Sequence, residues 1–427
     1  MRISARTPSR GPAPAVEDRP ATSIVRATSG AGVGPSNAWT EIDLFSVRRY
    51  HGRMAQRPHH LRPCVDTVRV ALVYRDVTGL GVSHIGLGIS AAYCAKTLQH
   101  HGLWAEVWPT QSAEKLRERI RTAHAAVNQR GELRPTHVIL AAPWITTQDL
   151  AGMAAEFPEV RFVVVSHSSV GFLAADPHAI RLLRETADLQ LATHNVFVGG
   201  NSRKFTDWAT EAWGVHAVCL PNLYCLAETF PQHDRQWQGG ALRLGLFGAN
   251  RPLKNFLSGA AAAVELARRL HVPVELLLSS GRNEGGDARA LEEMTENIAN
   301  LRVTRTGWLS WPSFRRLLRT VDLVFQVSYT ETFNVVTADA IAEGVPVVAS
   351  DAIDWVPRWW QAGADEPLDV ARVAERLLRD PDAPRHGRAA LQAYVERGLV
   401  DWMRFLCPDV PQVAGAAVPA RIARGDA

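Results

Sequence analysis

Short apolar runs that end in a glycine or polar loop and lead into a helix-length segment recur from Val68 onward, and few architectures other than layered parallel α/β domains accommodate that rhythm. The run Val-Arg-Val-Ala-Leu-Val-Tyr at 68–74 opens the series, and strands are predicted around Val107, at 137–142 and at 161–165. Another is predicted from Leu189 and a short one at 218–224, with helices over 89–100, 113–129 and 147–156 between them. A second series starts at 242–248 and continues with strands at 274–279, 303–307, 322–328 and 345–350, separated by helices over 256–270, 287–300 and 312–320. Helices over 370–379 and 389–406 close the chain, the last predicted to cross back onto the first domain. Right-handed crossovers are expected throughout.

A chain of 427 residues with 46% hydrophobic content supports two such cores. Residues 1–65 read as a disordered basic tail and linker, and 66–225 as a first Rossmann-like domain. Residues 226–240, with Pro231, Gly239 and Gly240, read as the interdomain linker, 241–407 as a second Rossmann-like domain and 408–427 as a loose tail. Ten arginines and four acidic residues put a charge of +6 on residues 1–65, so against a net charge of +4 the remainder sums to −2. A folded body that is close to neutral argues against a nucleic-acid-binding domain. With no apolar run of eighteen residues and no signal-peptide pattern, the expected localisation is cytoplasmic. The five cysteines form no Cys-x-x-Cys pair and are expected to be reduced packing residues. His51, His59 and His60 lack the spaced partners of a metal site.

The stretch richest in chemistry runs from Ser328 to Ser350: a loop carrying Glu331, an Ala-rich helix carrying Asp339, a stop at Gly344 and a strand entered through Pro346. The amides of Phe333, Asn334 and Val335 stand at the start of that helix, where donors are left free for hydroxyl or phosphate oxygens. This stretch resembles the signature of family 4 glycosyltransferases, retaining enzymes of the GT-B fold, in which two glutamates separated by seven residues precede a Gly-x-Pro-Val-Val turn. Asp339 stands in place of the second glutamate, and Asn334 where the family often has glycine.

The resemblance implies two Rossmann-like parallel-sheet domains facing a central cleft, and a nucleotide-sugar donor, UDP- or GDP-linked, with no other cofactor and no metal. It implies that Glu331 contacts donor-sugar hydroxyls and Asp339 the ribose. The family's lysine six residues after the glycine Gly248 is Lys254; its arginine directly after that glycine is replaced by Ala249, with Arg251 nearest. Lys254 is one of only four lysines against 43 arginines. Gly307 and Trp308 fall where the family borders the base, His167 at a strand end that touches donor sugar or acceptor, and Gly79 and Gly81 in a loop on the acceptor side. The acceptor, whether glycan, lipid, small molecule or nucleic acid, is not specified, nor is the oligomeric state. Rival readings are a nucleotide-sugar epimerase and a non-catalytic GT-B scaffold that has lost turnover. The sole Asp-x-Asp, Asp380-Pro-Asp382, lies in a Pro-containing loop and reads as surface.

Overall fold

The computed structural model describes residues 67–76, 85–126, 134–174, 176–226, 236–286 and 288–408. The histidine run at 51–60, Cys64, Gly79, Gly81 and most of the predicted linker and tails lie outside them. Two six-stranded sheets, parallel throughout, form the described structure.

In the first sheet the spatial order is β2-β1-β3-β4-β5-β6, from β1 (Arg69–Arg75), β2 (Trp104–Thr110), β3 (His137–Leu140), β4 (Arg161–Ser166), β5 (Val196–Gly200) and β6 (Val218–Cys219). In the second it is β12-β11-β10-β7-β8-β9, from β7 (Leu242–Leu246), β8 (Val274–Leu278), β9 (Leu301–Arg305), β10 (Leu323–Gln326), β11 (Val347–Ser350) and β12 (Gln361–Ala362). Strands buried on both faces must be apolar at nearly every position, which is why Phe162, Val163, Val164 and Val165 of β4 form an unbroken run with no exposed member. Each sheet reverses its order once, between β1 and β3 and between β7 and β10, and the loops leaving those strands face the crevice where ligands bind such folds.

The connecting helices are α1 (Ile85–His100), α2 (Ala113–Ala126), α3 (Thr147–Glu156), the single turn α4 (Val170–Leu173), α5 (Pro177–Ala192) and α6 (Arg203–Trp213). They continue with α7 (Phe256–Leu270), α8 (Ala288–Thr295), α9 (Trp311–Leu318), α10 (Val335–Ala342), α11 (Pro367–Arg379) and α12 (Ala383–Leu406). The strand predicted from Leu189 does not form there. Residues 189–192 are the last turn of α5, whose start is fixed by Asp176 accepting from the Ala179 amide at 3.0 Å and by Pro177 at its first position. Leu182, Leu183, Thr186 and Ala187 give that helix its buried face. Asp380 and Asp382 sit between α11 and α12, where Asp380 accepts from the Asp382 amide at 2.9 Å, a turn-forming role.

One apolar core joins the inner face of the first sheet to the second domain through Leu220, Leu223 and Tyr224, and a second core fills the outer face of the first sheet. Helix α12 reaches the first domain. Trp402 donates its indole N–H to the Pro221 carbonyl at 2.8 Å, and Phe405 meets the rings of His137 and Phe197 edge-on at 5.4 and 5.5 Å. Cys94, Cys219 and Cys225 are free thiols, but Cys407, at the end of α12, is disulfide-bonded, which corrects the expectation that all five cysteines are reduced.

Burial of His137, only 4% exposed, pushes its pKa down to about 3, with Arg161 adding to the effect. An unfolded chain protonates this histidine near pH 6.5 while the folded one does not until about pH 3, so stability falls as pH drops through that window. By pH 4 the loss from this group is on the order of 3 kcal/mol. We expect His137→Asn to flatten the fall of the urea midpoint between pH 7 and pH 4; an unchanged slope would contradict this assignment.

Candidate functional site

The loops leaving β7 and β10 converge because those strands are neighbours, with Leu323 paired to Leu244 and Phe325 to Leu246. The Tyr329 amide donates to the Leu253 carbonyl at 3.0 Å, and Asn255, in left-handed conformation at φ 53°, donates to the Val327 carbonyl at 3.0 Å. These bonds hold the two loops side by side, so Lys254 and Glu331, distant in sequence, form an ion pair. Ser328 Oγ and Asn334 Nδ2 donate to the same Glu331 oxygen at 3.0 and 3.1 Å. The carboxylate is thereby locked in one orientation.

Asn334 explains its own departure from glycine. Its φ is 61°, in the region that glycine occupies freely and asparagine tolerates. Its side chain caps α10 by accepting from the Thr337 amide at 2.9 Å and donates to Gln326 Oε1 at 2.9 Å. The Val335 and Val336 amides open α10, where the first turn of a helix leaves backbone donors without intrahelical acceptors, and both residues line the cleft. Phe333 also lines the cleft, and its ring, 3% exposed, stacks with those of Trp355 and Tyr394 at 5.6 and 5.1 Å.

A cleft of about 1140 Å³ lies between the two domains, lined from the second by Gly248, Arg251, Lys254, Gly307, Trp308, Glu331, Asn334, Val335 and Asp339. From the first domain it is lined by Arg75, Trp144, His167, Ser169, Phe172 and Asn201. Gly248 ends the strand region of β7 at φ 125°, and Gly307 follows β9 at φ 67°, conformations in which any side chain is strained. Trp308 is 39% exposed, with the Arg282 guanidinium 5.3 Å over its ring. Arg251 lies 5.4 Å over the Phe172 ring and pairs with Glu284, which also takes Arg282. Glu284 is held below the usual carboxylate range: burial opposes this, and Arg251 and Arg282 outweigh it. Ala249 is buried, and the cations that this loop presents to the cleft are Arg251 and Lys254.

His167 directly follows Ser166, the last residue of β4. Burial lowers its pKa to about 4, so it is neutral at pH 7, and Asn201 Nδ2 lies 3.3 Å from its Nδ1. Thr332 of the second domain donates to the His167 carbonyl at 3.1 Å and takes a bond from Asn201 Nδ2 at 3.1 Å. Asp339 lies at the cleft floor, 2% exposed. Its Oδ1 accepts from the Tyr224 hydroxyl at 2.7 Å and its Oδ2 from the Trp311 indole at 3.1 Å. Burial raises its carboxyl to about 6, moderated by Tyr224, Arg315 and Trp311.

Reading the sequence missed Arg282, Glu284, Asn201 and Thr332. The first two sit in the Ser-Ser-Gly-Arg-Asn-Glu loop that leaves β8, next to β7, and a polar, glycine-containing loop after a central strand was their available signal. Asn201 and Thr332 meet across the domain boundary, which no local pattern announces.

Residues 223–380 match the family model described as glycosyl transferases group 1, a stretch that covers less than half of the chain. No curated protein matches. Among solved structures, the chain is similar to the sucrose-phosphate synthase of Thermosynechococcus elongatus, with 15% identity and a TM-score of 0.53 over 79% of this chain and 99% of that one. It is also similar to the trehalose-6-phosphate synthase OtsA, with 12% identity and a TM-score of 0.52 over 81% and 99%. Against TarM of S. aureus, solved with UDP, the match has 15% identity and a TM-score of 0.47, over 64% of this chain and 55% of that one. The chain thus spans only about half the length of that protein. At such identities the shared feature is architecture: the fold is GT-B, and its second domain is similar to the group 1 glycosyl transferases.

Proposed function

We propose that this protein transfers a sugar from a nucleoside diphosphate donor, UDP- or GDP-linked, to an acceptor hydroxyl, with retention of configuration and without a metal ion. The observation that carries the reading is the meeting of Lys254 and Glu331 at the wall of an interdomain cleft. A donor diphosphate placed against α10 would meet the Val335 and Val336 amides and the cations Lys254 and Arg251. Its sugar would meet Glu331, already oriented by Ser328 and Asn334.

In the reaction the bond from the anomeric carbon to the diphosphate oxygen breaks, and the electron pair leaves with the nucleotide. Lys254 and Arg251 stabilise that developing charge. The acceptor hydroxyl attacks from the same face and passes its proton to the departing phosphate oxygen. Trp308 offers a partly exposed aromatic face for the base.

The test is nucleotide release from a panel of UDP- and GDP-sugars incubated with the full chain and read by mass spectrometry. We expect release of UDP or GDP from at least one donor. Absence of release from every donor would favour a binding scaffold instead.

A further inference from the structure

The cleft floor is joined to both domains by a buried polar chain that the proposed reaction does not use. Tyr93 of α1 stacks on Tyr224 with ring centroids 4.3 Å apart and meets Trp311 of α9 edge-on at 5.4 Å. The Tyr224 hydroxyl, 3.4 Å from that of Tyr93, donates to Asp339, whose other oxygen takes the Trp311 indole. Arg315 Nη1 donates to the Tyr93 hydroxyl at 3.0 Å and pairs with Glu343, the residue that caps the C-terminal end of α10, one turn beyond Asp339. Tyr93 belongs to the first domain, Tyr224 to the segment leaving it, and Trp311, Arg315, Asp339 and Glu343 to the second.

We infer that Asp339 is a positioning residue that latches α10 to the first domain through Tyr224, rather than a ligand of the donor. Each of its oxygens already receives a hydrogen bond from the protein, and at 2% exposure it presents almost no surface to a bound molecule. The helix it sits on begins at the loop that carries Glu331, so fixing the middle of α10 to the first domain fixes where the Glu331 carboxylate and the first-turn amides stand relative to an acceptor bound there. An aspartate suits this task because the Tyr224 hydroxyl and the Trp311 indole come within hydrogen-bond distance of the shorter side chain.

The inference rests on the proposed transfer activity, and its test separates the two. Tyr224→Phe removes the latch contact and leaves the Asp339 carboxylate in place; Asp339→Ala removes the carboxylate. If Asp339 is a latch, each lowers kcat about tenfold, the double variant falls no further than the worse single one, and the KM for the nucleotide sugar stays within about twofold. Asp339→Asn, which keeps an acceptor for Trp311, holds kcat within about threefold of the native value. The inference is overturned if Asp339→Ala raises the donor KM tenfold or more while Tyr224→Phe leaves both constants near native. Should the native chain turn over no nucleotide sugar, the transfer reading fails, and urea unfolding of the native chain, Tyr224→Phe, Asp339→Ala and their double variant decides the latch. Less-than-multiplicative changes in the unfolding constant support it, and strictly multiplicative changes contradict it.

Discussion

Lys254→Ala is expected to lower sugar transfer by about 10- to 100-fold, the equivalent of one charge-assisted contact of roughly 1.5–3 kcal/mol made to a leaving group whose charge grows in the transition state. The structure gives the loss a specific form. Lys254 pairs with Glu331 before any donor arrives, and the lysine is 18% and the glutamate 11% exposed, so a diphosphate that engages Lys254 must compete with a carboxylate. Alanine at 254 also frees Glu331 from its main restraint, leaving only Ser328 and Asn334 to orient it. Both kcat and donor affinity therefore fall. Glu331→Ala lowers turnover at least tenfold by a different route, since it removes the sugar-orienting carboxylate and releases Lys254 toward the phosphates. Steady-state kinetics on the two variants checks this, and native-like constants in both would contradict the site.

The second large effect is on stability. Glu343→Ala is expected to cost about 3–5 kcal/mol, because it takes away the carboxylate that Arg315 faces while both side chains are only 3% exposed. Arg319, at 2.6 Å from the same carboxylate, loses its partner there too, but it is 35% exposed and water compensates it. Burial disfavours the charge on Arg315; Tyr224, Tyr93, Asp339 and Glu343 together more than offset this and hold its pKa above the usual arginine value. A double change, Arg315→Met with Glu343→Leu, should recover most of the loss, since neither half of the pair is then left alone in the interior. Urea midpoints of the single and double variants measure this. A double variant no more stable than Glu343→Ala would show that the pair itself, rather than an uncompensated charge, sustains the fold.

The parts legible in the sequence were those whose physics is local. Helices at 147–156 and 256–270 stand where periodicity and caps place them, and the two sheets follow from apolar runs too continuous to be half-exposed. Lys254 and Glu331 were legible through the resemblance to the family pattern, and the adjacency of β7 and β10 brings them together. Asn334 could be seen as a departure from glycine, but that it serves a positive φ and caps a helix required backbone angles. Asp339 was expected to contact the donor; it lines the cleft, and its two oxygens meet Tyr224 and Trp311, residues brought to it only by tertiary folding. Helix α5 was missed because its last turn, Leu-Gln-Leu-Ala, alternates like a strand when read without the Asp-Pro cap twelve residues earlier.

The central claim is that Lys254 holds the diphosphate of a nucleotide while Glu331 serves only the sugar. Calorimetric titration of UDP and of GDP, neither carrying a sugar, into the native chain, Lys254→Ala and Glu331→Ala tests it most directly. The account predicts that one nucleotide binds the native chain, that Lys254→Ala weakens it at least tenfold, and that Glu331→Ala binds it as tightly as native or more so. Equal affinity in native and Lys254→Ala chains, or no binding of either nucleotide, would contradict it.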